Sequence, residues 1–222
     1  MEEYDLRDVS YEKLNRGYEN QWERMDDLFA WLDLRIYCFY EHHQWLGPKN
    51  DMRNMMGLVV SREEFEHNLV KAAQLGLAAQ LDGGEAAQLE SSQVTIRARL
   101  ERTRAEFPLL RMFRELGLEE FEEGCLVLAY AAALDQKYEK LLAYLQDDIT
   151  RKVPTTALAV QLFLPLERTM EEYLSRFARR DKFTSLFDRE RLAAGQLVLR
   201  PSVLEFLSTG TVAPMPGLRI FD

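Results

Sequence analysis

The chain has 222 residues, of which 47% are hydrophobic, and its formal net charge is −9. This length and apolar content can build the core of one large domain or of two small ones. The negative charge disfavours nucleic acid as the main partner, because DNA binding draws on surplus Lys and Arg at the contact. Cys38 and Cys125 stand among apolar residues, which favours buried free thiols over a disulfide.

The N-terminal sequence does not predict a signal peptide. The first ten residues, MEEYDLRDVS, are acidic and lack the apolar stretch of a signal peptide. A run of about 18 apolar residues, which a membrane span requires, is also absent from the sequence. We therefore expect a cytoplasmic protein. The chain stops at Asp222 in mid-pattern, and we expect it to be the N-terminal part of a longer protein.

Residues 1–106 are predicted to form a helical N-terminal region. Apolar residues recur at spacings of three and four in 21–46, and helices are also predicted over 62–81 and 85–106. The last of these ends in a dense set of charges. Their interleaved signs favour a solvated helix with internal ion pairs over a phosphate-binding patch: the residues are Arg97, Arg99, Glu101, Arg102, Arg104 and Glu106.

Residues 107–222 carry a different pattern. A short helix should end at Gly117, and a helix that is apolar almost all round should follow as the buried centre of this half. A later amphipathic helix is predicted to turn five apolar side chains inward, and these are Leu166, Met170, Tyr173, Leu174 and Phe177. Residues 196–200 and 218–221 alternate as short strands do.

Residues 135–162 predict a helix, a polar turn and a second helix. Asp135 can cap the first helix, and Pro154 and Thr155 supply a start signal for the second. The second helix contains neither Arg nor Lys, and Gln161 is its one side chain suited to reading a base edge. Such a helix is expected to belong to the core rather than to a DNA groove.

These patterns together predict a mainly α fold. Its helical N-terminal half, residues 1–106, is followed by a winged-helix-like domain, residues 107–222, with a small two-stranded β wing. The order of helices followed by two short strands is the basis of this prediction.

Several short runs in the second half resemble a known family. They are Leu116-Gly117-Leu118, Phe121-Glu122, Leu134-Asp135, Lys137-Tyr138-Glu139, the stretch YLQDDITRK over 144–152, and Pro154-Thr155. Together they resemble the winged-helix region N-terminal to the motor of bacterial AAA+ (Cdc48-type) ATP-binding proteins associated with contractile injection systems. The chain departs from the family pattern at Ala132-Ala133, usually Pro-Glu, and at Lys137, usually Arg.

The resemblance implies partners and cofactors for a longer protein. The chain has no G-x-x-x-x-G-K-[ST] loop, so ATP and Mg²⁺ are implied for a motor domain expected after residue 222, and no cofactor is expected in the chain itself. The implied partners are that AAA+ domain and a protein substrate or assembly factor. Nucleic acid and membrane are not expected.

The polar turn is the candidate contact surface. The residues proposed to bind a partner there are Gln146, Asp147, Asp148, Thr150, Arg151, Lys152 and Thr155. The competing interpretation is that the same residues maintain the fold, since turn chemistry is first of all structural. Tyr144 can likewise be a core residue or an exposed anchor.

Two pairs of residues could form a metal site or could have plain structural roles. His42 and His43 are adjacent on a predicted helix and point about 100° apart, which does not suit one shared metal ion. Asp147-Asp148 could bind Mg²⁺, but the nearby Arg151 and Lys152 favour local ion pairs.

We therefore expect a non-catalytic N-terminal module that recruits a substrate or assembly partner, or packs on an ATPase ring. The alternative is a winged-helix DNA-binding regulator. A self-contained enzyme is disfavoured, since no catalytic constellation can be assembled from the sequence.

Overall fold

The computed structural model describes residues 16–43, 85–163, 169–179 and 181–209. Within these ranges the chain is helical and forms no strand, which confirms the mainly α prediction. Residues Thr184–Leu186 form a single 3-10 turn. The helices in these ranges are α1 (Gln21–His43), α2 (Glu85–Arg102), α3 (Pro108–Leu116), α4 (Glu120–Leu134), α5 (Lys137–Leu145), α6 (Thr156–Phe163), α7 (Met170–Ala178), α8 (Arg189–Ala193) and α9 (Pro201–Thr209).

Helix α4 is the centre of the structure, as its apolar sequence predicts. It begins with a capping box, in which Glu119 and Glu122 each accept the other's backbone N–H. Its buried residues are Phe121, Gly124, Cys125, Leu126, Val127, Leu128, Ala129, Tyr130 and Ala131. None of the helices in the described ranges is long and apolar enough to cross a membrane.

Helix α1 packs against this centre. It covers most of the predicted segment 21–46, and its apolar stripe buries Met25, Leu28, Trp31, Leu32 and Ile36. The stripe contacts α2, α4 and α6. Cys38 on α1 and Cys125 on α4 are both buried and are not joined by a disulfide, as predicted. The predicted helix 62–81 lies outside the described residues.

The beginning of α1 meets the end of α2. The backbone N–H of Tyr18 donates to Thr103 Oγ1 at 2.9 Å, across 85 residues of sequence. The approach is so close that a Cβ on Gly17 would lie 2.5 Å from the Arg102 carbonyl oxygen. Glycine is therefore required at position 17 by the space available.

The charged end of α2 differs from its prediction as a solvated face. Arg99 is 1% exposed, and its guanidinium binds Asp27 Oδ2 at 2.6 Å and Glu23 Oε1 at 2.7 Å, both on α1. The same guanidinium lies over the Tyr18 ring, 4.2 Å from its centroid. The prediction of internal ion pairs is wrong at this residue, because the acids of α1 lie closer than the acids of its own helix.

Helix α7 buries fewer side chains than predicted; Leu166 of the predicted set lies outside the described residues. Tyr173 is buried and Phe177 half-buried, and both rings contact Phe121 of α4. Met170 and Leu174 were expected to point inward, but they are 41% and 39% exposed. Leu174 lies about 100° around the helix from Tyr173, so the two residues cannot share the contact with α4.

The predicted β wing is not formed by residues 196–200. This segment makes two isolated antiparallel bridges, Thr155 with Gln196 and Phe187 with Leu199. Its backbone groups bond to two separate segments instead of one partner strand, so no ladder develops. The second predicted strand, 218–221, lies outside the described residues.

The described core is continuous across residue 106. One hydrophobic cluster contains residues of α1 and α2 together with residues of α3, α4, α5, α6 and α9. The division into regions 1–106 and 107–222 stays a prediction.

The crossing of α4 and α6 depends on Gly124. A Cβ at this position would lie 2.9 Å from the ring of Phe163. In an unobstructed helix, replacing Gly by Ala stabilises by about 1 kcal/mol. We expect Gly124→Ala to lower the free energy of unfolding instead, by about 1–3 kcal/mol, as overpacking does. Urea denaturation followed by circular dichroism measures this change.

The control for this prediction is the same substitution in a Phe163→Leu background. The smaller side chain removes the clash, so there Gly124→Ala should be neutral or stabilising. Equal destabilisation in both backgrounds would contradict the assignment of the cost to the Phe163 ring.

Candidate functional site

The turn between α5 and α6 has a defined backbone geometry. At the end of α5, the N–H of Asp147 donates to the Tyr144 carbonyl and the N–H of Asp148 donates to the Ala143 carbonyl, each at 3.0 Å. This pairing is the Schellman motif, which needs a left-handed residue after the helix. Asp147 is that residue, with φ 48°. The chain therefore leaves α5 in one fixed direction.

Gln146 holds the turn from inside. Its side-chain Nε2 lies 3.1 Å from the Leu142 carbonyl, 3.0 Å from the Arg151 carbonyl and 3.1 Å from the Val153 carbonyl. Its Oε1 atom is buried and has no hydrogen-bond partner among the described residues. Gln146, which was predicted to contact a partner, therefore connects the two ends of the turn by hydrogen bonds from its side-chain amide to the backbone.

Asp148 organises the tip of the turn. Its Oδ1 accepts hydrogen bonds from the Thr150 N–H at 2.9 Å and the Thr150 hydroxyl at 2.6 Å. Its Oδ2 lies 3.0 Å from Arg151 Nε. The hydrogen bonds from Thr150, with the attraction of Arg151, lower the pKa of the Asp148 carboxyl. The Asp148 carboxylate therefore orders Thr150 and Arg151 at the tip of the turn.

The remaining residues of the turn face outward. Asp147, Thr150, Arg151 and Lys152 are exposed, and Ile149 among them is 45% exposed. Lys152 Nζ pairs with Glu139 at 3.2 Å, in a surface ion pair of small energetic value. Sequence reasoning missed Ile149, although a single β-branched apolar residue within a polar turn was the available signal.

Thr155 belongs to the base of the turn. Its Oγ1 accepts the Leu158 N–H at 3.2 Å and so caps α6, as predicted. Beside it, the Pro154 carbonyl accepts the Leu197 N–H at 2.8 Å, and the Thr156 N–H donates to the Gly195 carbonyl at 2.9 Å. The turn is thus anchored at both ends, by Gln146 and by this bridge, while its tip is exposed.

Helix α6, the second helix of the helix–turn–helix pattern, is enclosed by the protein. It contacts α1, α4 and α7. Ala157 and Gln161 are its exposed residues, whereas the buried ones are Leu158, Ala159, Val160, Leu162 and Phe163. The prediction that this helix belongs to the core is confirmed.

Helix α1 closes the C-terminal end of α6. Arg35 Nε donates to the Leu162 carbonyl at 2.6 Å, and the ring of Trp31 stacks on Phe163 with centroids 5.6 Å apart. Tyr40 of α1 contacts the ring of Tyr144, 5.7 Å away, and Tyr144 is half-buried against the core. Tyr144 is therefore a packing residue with part of its surface exposed.

A buried carboxylate links α1 to α5. Asp33 is 2% exposed, and it accepts hydrogen bonds from Lys137 Nζ at 2.7 Å and from the Tyr138 hydroxyl at 2.9 Å. Burial raises the pKa of the Asp33 carboxyl, and the positive charge of Lys137 opposes this effect. Burial and the adjacent Asp33 raise the pKa of Tyr138 well above its usual range.

Arg24 links α1 to α4 through an ion pair with Glu123. The Arg24 side chain is fully buried, and its Nε and Nη1 have no hydrogen-bond partner among the described residues. Arg24 and Arg35 stand in the same helical phase as Leu28 and Trp31, at intervals of four, three and four. Charged residues in register with the apolar stripe were the sequence signal for these links.

Within the described ranges, no group of three or more His, Cys, Asp or Glu side chains is placed to hold a metal ion. For His42 and His43, at the end of α1, the structure describes the backbone and not the side chains.

Residues 8–187 match the model of one protein family, which is described as "Winged helix domain, variant". The chain belongs to this family. The match covers the helices from α1 to α7 and ends at Phe187, before α8. No curated protein matches the chain, and no solved structure matches it. The prediction of a winged-helix fold is confirmed at this level, and the family match extends across residue 106 into the helical N-terminal region.

Gln146 and Arg151 should respond differently to truncation. Gln146→Ala removes a donor from three backbone carbonyls and should lower the free energy of unfolding by about 1–3 kcal/mol. Arg151→Ala removes one exposed ion pair and should change it by less than about 0.5 kcal/mol. Chemical denaturation of the two purified variants makes the comparison. Equal losses would contradict the division of the turn into a fastened base and an exposed tip.

Asp33 should leave a signature in the pH dependence of stability. A carboxyl whose pKa is raised by folding binds its proton more tightly in the folded state, so stability falls as pH rises above the ordinary value of 3.8. The wild type should therefore lose stability relative to Asp33→Asn as pH increases through the window above 3.8, by at most ~1.4 kcal/mol per pH unit.

Urea titrations of both proteins at a series of pH values test this expectation, with Asp181→Asn as the control for an exposed carboxylate. A difference that is constant with pH, or that grows in favour of the wild type as pH rises, would show that the Lys137 charge outweighs the cost of burial.

Proposed function

We propose that the chain is a non-catalytic protein-interaction and regulatory module of an AAA+ ATPase, and that the tip of the α5–α6 turn is its contact surface. The module recruits a protein substrate or assembly partner, or packs on the ATPase ring. The observation that carries the proposal is the enclosure of α6 together with the exposure of the turn before it. The helix that would contact DNA in a helix–turn–helix protein is buried here, whereas the polar turn is exposed to a partner.

The buried faces of α6 argue against a winged-helix DNA-binding regulator. A recognition helix must enter the major groove and place three or four side chains on base edges. Helix α6 offers Gln161 and the methyl group of Ala157. Its other faces are held by the stack of Trp31 on Phe163 and by the Arg35 hydrogen bond. Releasing the helix would break these contacts and expose core residues, and the net charge of −9 would oppose the approach to phosphates.

The turn has the composition of a small protein contact. Ile149 is an apolar point at the centre, and exposed charges of both signs surround it. Apolar centres with polar rims are typical of protein interfaces, where the rim charges set orientation and association rate. The surface ion pairs of Arg151 and Lys152 cost little to open, so both side chains can turn to a partner.

The link to an ATPase is supported by the resemblance of the stretch from Tyr144 to Lys152, followed by Pro154-Thr155, to the region before the motor of Cdc48-type proteins. The structure adds a physical reason for the pattern. Gln146, Asp148 and Thr155 each make a hydrogen bond that the turn requires. ATP and Mg²⁺ would be bound by the motor domain that we propose to follow residue 222.

The first experiment reads the coding sequence that follows Asp222 and then assays the encoded protein. A P-loop ATPase module is expected there, and deletion of residues 1–222 should change either its ATPase rate or its binding of a protein partner. A double variant, Ile149→Asp with Lys152→Glu, should reproduce the loss of binding. Glu101→Gln, on the distant surface of α2, is the matched control. If deletion alters neither quantity, the proposal is wrong.

A DNA-binding assay separates the two candidate functions. Fluorescence anisotropy with mixed-sequence duplexes at low and moderate salt should show no salt-dependent binding by the purified chain. Submicromolar binding that weakens steeply with added salt would favour the regulator instead.

A further inference from the structure

Helix α9 fills a groove between other helices with one apolar face. The buried side chains of α9 are Val203, Phe206 and Leu207. They stand at positions i, i+3 and i+4, so they share one side of the helix. Helix α9 packs on α3. Beside that contact, the side-chain amide of Gln21 on α1 donates to the Leu207 carbonyl, and the Tyr130 hydroxyl of α4 lies 3.5 Å from Ser208 Oγ. The groove is therefore built by α1, α3 and α4.

The polar contacts that hold α9 in this groove are weak. The distance of 3.5 Å between Tyr130 and Ser208 is too long for a strong hydrogen bond. Glu205 is the charged residue of α9, and it is exposed. By contrast, ion pairs with buried side chains join α1 to α2, α4 and α5. Helix α9 thus depends mainly on its three apolar side chains for its place.

The α1 surface next to α9 has polar atoms without partners. Gln21 Oε1 is buried and has no hydrogen-bond partner among the described residues. One turn further along α1, Arg24 Nε and Nη1 are also buried without a partner there, and the Arg24 guanidinium lies 4.5 Å from the centroid of the Phe113 ring on α3. A buried polar atom without a partner is destabilising. Departure of α9 would let water reach Gln21, so this cost opposes the docking of α9.

The residue before α9 is firmly attached and marks the point at which the helix can turn away. The backbone N–H of Arg200 donates to the Leu186 carbonyl at 3.0 Å, and Arg200 Nε donates to the Phe187 carbonyl at 3.0 Å. Leu186 and Phe187 are the last two residues of the family match. Helix α9 begins at the next residue, Pro201. It therefore lies outside the matched region and is joined to it at Arg200.

We propose that α9 is a displaceable helix, and that the groove beneath it is a docking site for an amphipathic helix of a partner protein. The partner helix carries large apolar side chains at i, i+3 and i+4, which is the pattern of α9 and of helix-in-groove recognition. A side-chain amide on the partner helix would supply the donor that Gln21 Oε1 lacks. The site does not depend on the proposed contact surface in the α5–α6 turn, since it uses other residues on other helices.

In this arrangement α9 competes with the partner helix. The partner binds only the fraction of molecules in which α9 is undocked, and its apparent affinity falls in proportion to that fraction. Any change that weakens the docking of α9 should therefore strengthen binding of the partner.

Native-state hydrogen exchange of the purified wild-type chain tests the undocking. The amides of residues 205–207 should exchange at least about 100-fold faster than those of residues 126–130 in α4, through an opening that depends only weakly on urea. If both sets exchange at the same rate with the same dependence on urea, α9 leaves only when the whole protein unfolds, and the proposal is wrong.

A labelled peptide of residues 200–209 tests the groove. Phe206→Ala in the chain weakens the docking of α9, so fluorescence anisotropy should show the peptide binding this variant at least about tenfold more tightly than the wild type. Phe206→Leu, which keeps more of the core, should give a smaller gain. Glu205→Gln, on the exposed side of α9, is the matched control and should bind as the wild type does.

The peptide itself supplies the specificity control. With its own Phe206→Ala change it should not bind any of these chains. Equal affinity of the unchanged peptide for the wild type and both Phe206 variants would overturn the proposal. A wild-type dimer in sedimentation that the free peptide dissociates would assign the groove to α9 of a second copy, and would overturn it as well.

Discussion

Buried charged residues on helix α1 determine how α1 is placed against the other helices. Arg24, Asp33 and Arg35 lie on α1 and reach α4, α5 and α6, and Arg99 of α2 reaches back to α1. A buried charge without a partner is strongly destabilising, so each link permits one relative placement of two helices. The apolar stripe of α1 stabilises its packing but would permit the helix to slide along the core. The four charged links along α1 would be broken by such a shift. The register of α1 on the core follows from them.

This placement changes what the helix–turn–helix pattern means. In helix–turn–helix proteins that bind DNA, the second helix contacts the DNA. Here the second helix, α6, packs in the core, and α1 covers its C-terminal end. The residues that remain exposed are those of the turn, which the Schellman motif and Gln146 hold in shape. Fold and function are separable in this way because function depends on which surface is left open.

The sequence was sufficient for the features that local physics decides. The period of the apolar residues predicted α1 and α2, and a segment that is apolar almost all round predicted α4. Glycine predicted the end of α3, and Thr155 predicted the start of α6. It was insufficient where a residue's partner lies far away in the chain. From the sequence alone Arg99 is predicted to be a solvated charge, but in the folded protein it binds Asp27. Leu174 is predicted to be a core residue, but Tyr173 makes the contact with α4. Residues 196–200 alternate as a strand does, but a strand also requires one continuous partner.

The candidate turn shows the same division. Its polar residues and its capping threonine could be identified from the sequence, since turns and caps follow local rules. The inward orientation of Gln146 could not be identified from the sequence. Its three acceptors lie on both sides of the turn, and they come together only in the folded chain. Ile149 was overlooked because a single apolar residue has no periodicity to reveal it.

The meeting of Tyr18 with Thr103 has a consequence for the rate at which the protein folds. Tyr18 and the helix α1 that follows it make links across 85, 99, 104 and 127 residues of sequence. Such distant contacts slow folding, because the entropy of loop closure is lost before the contacts form. Loop entropy grows only logarithmically, however, and doubling a loop costs about 0.6 kcal/mol. A modest change in the number of residues between Gly17 and Thr103 would therefore alter the entropy of closing this contact by little.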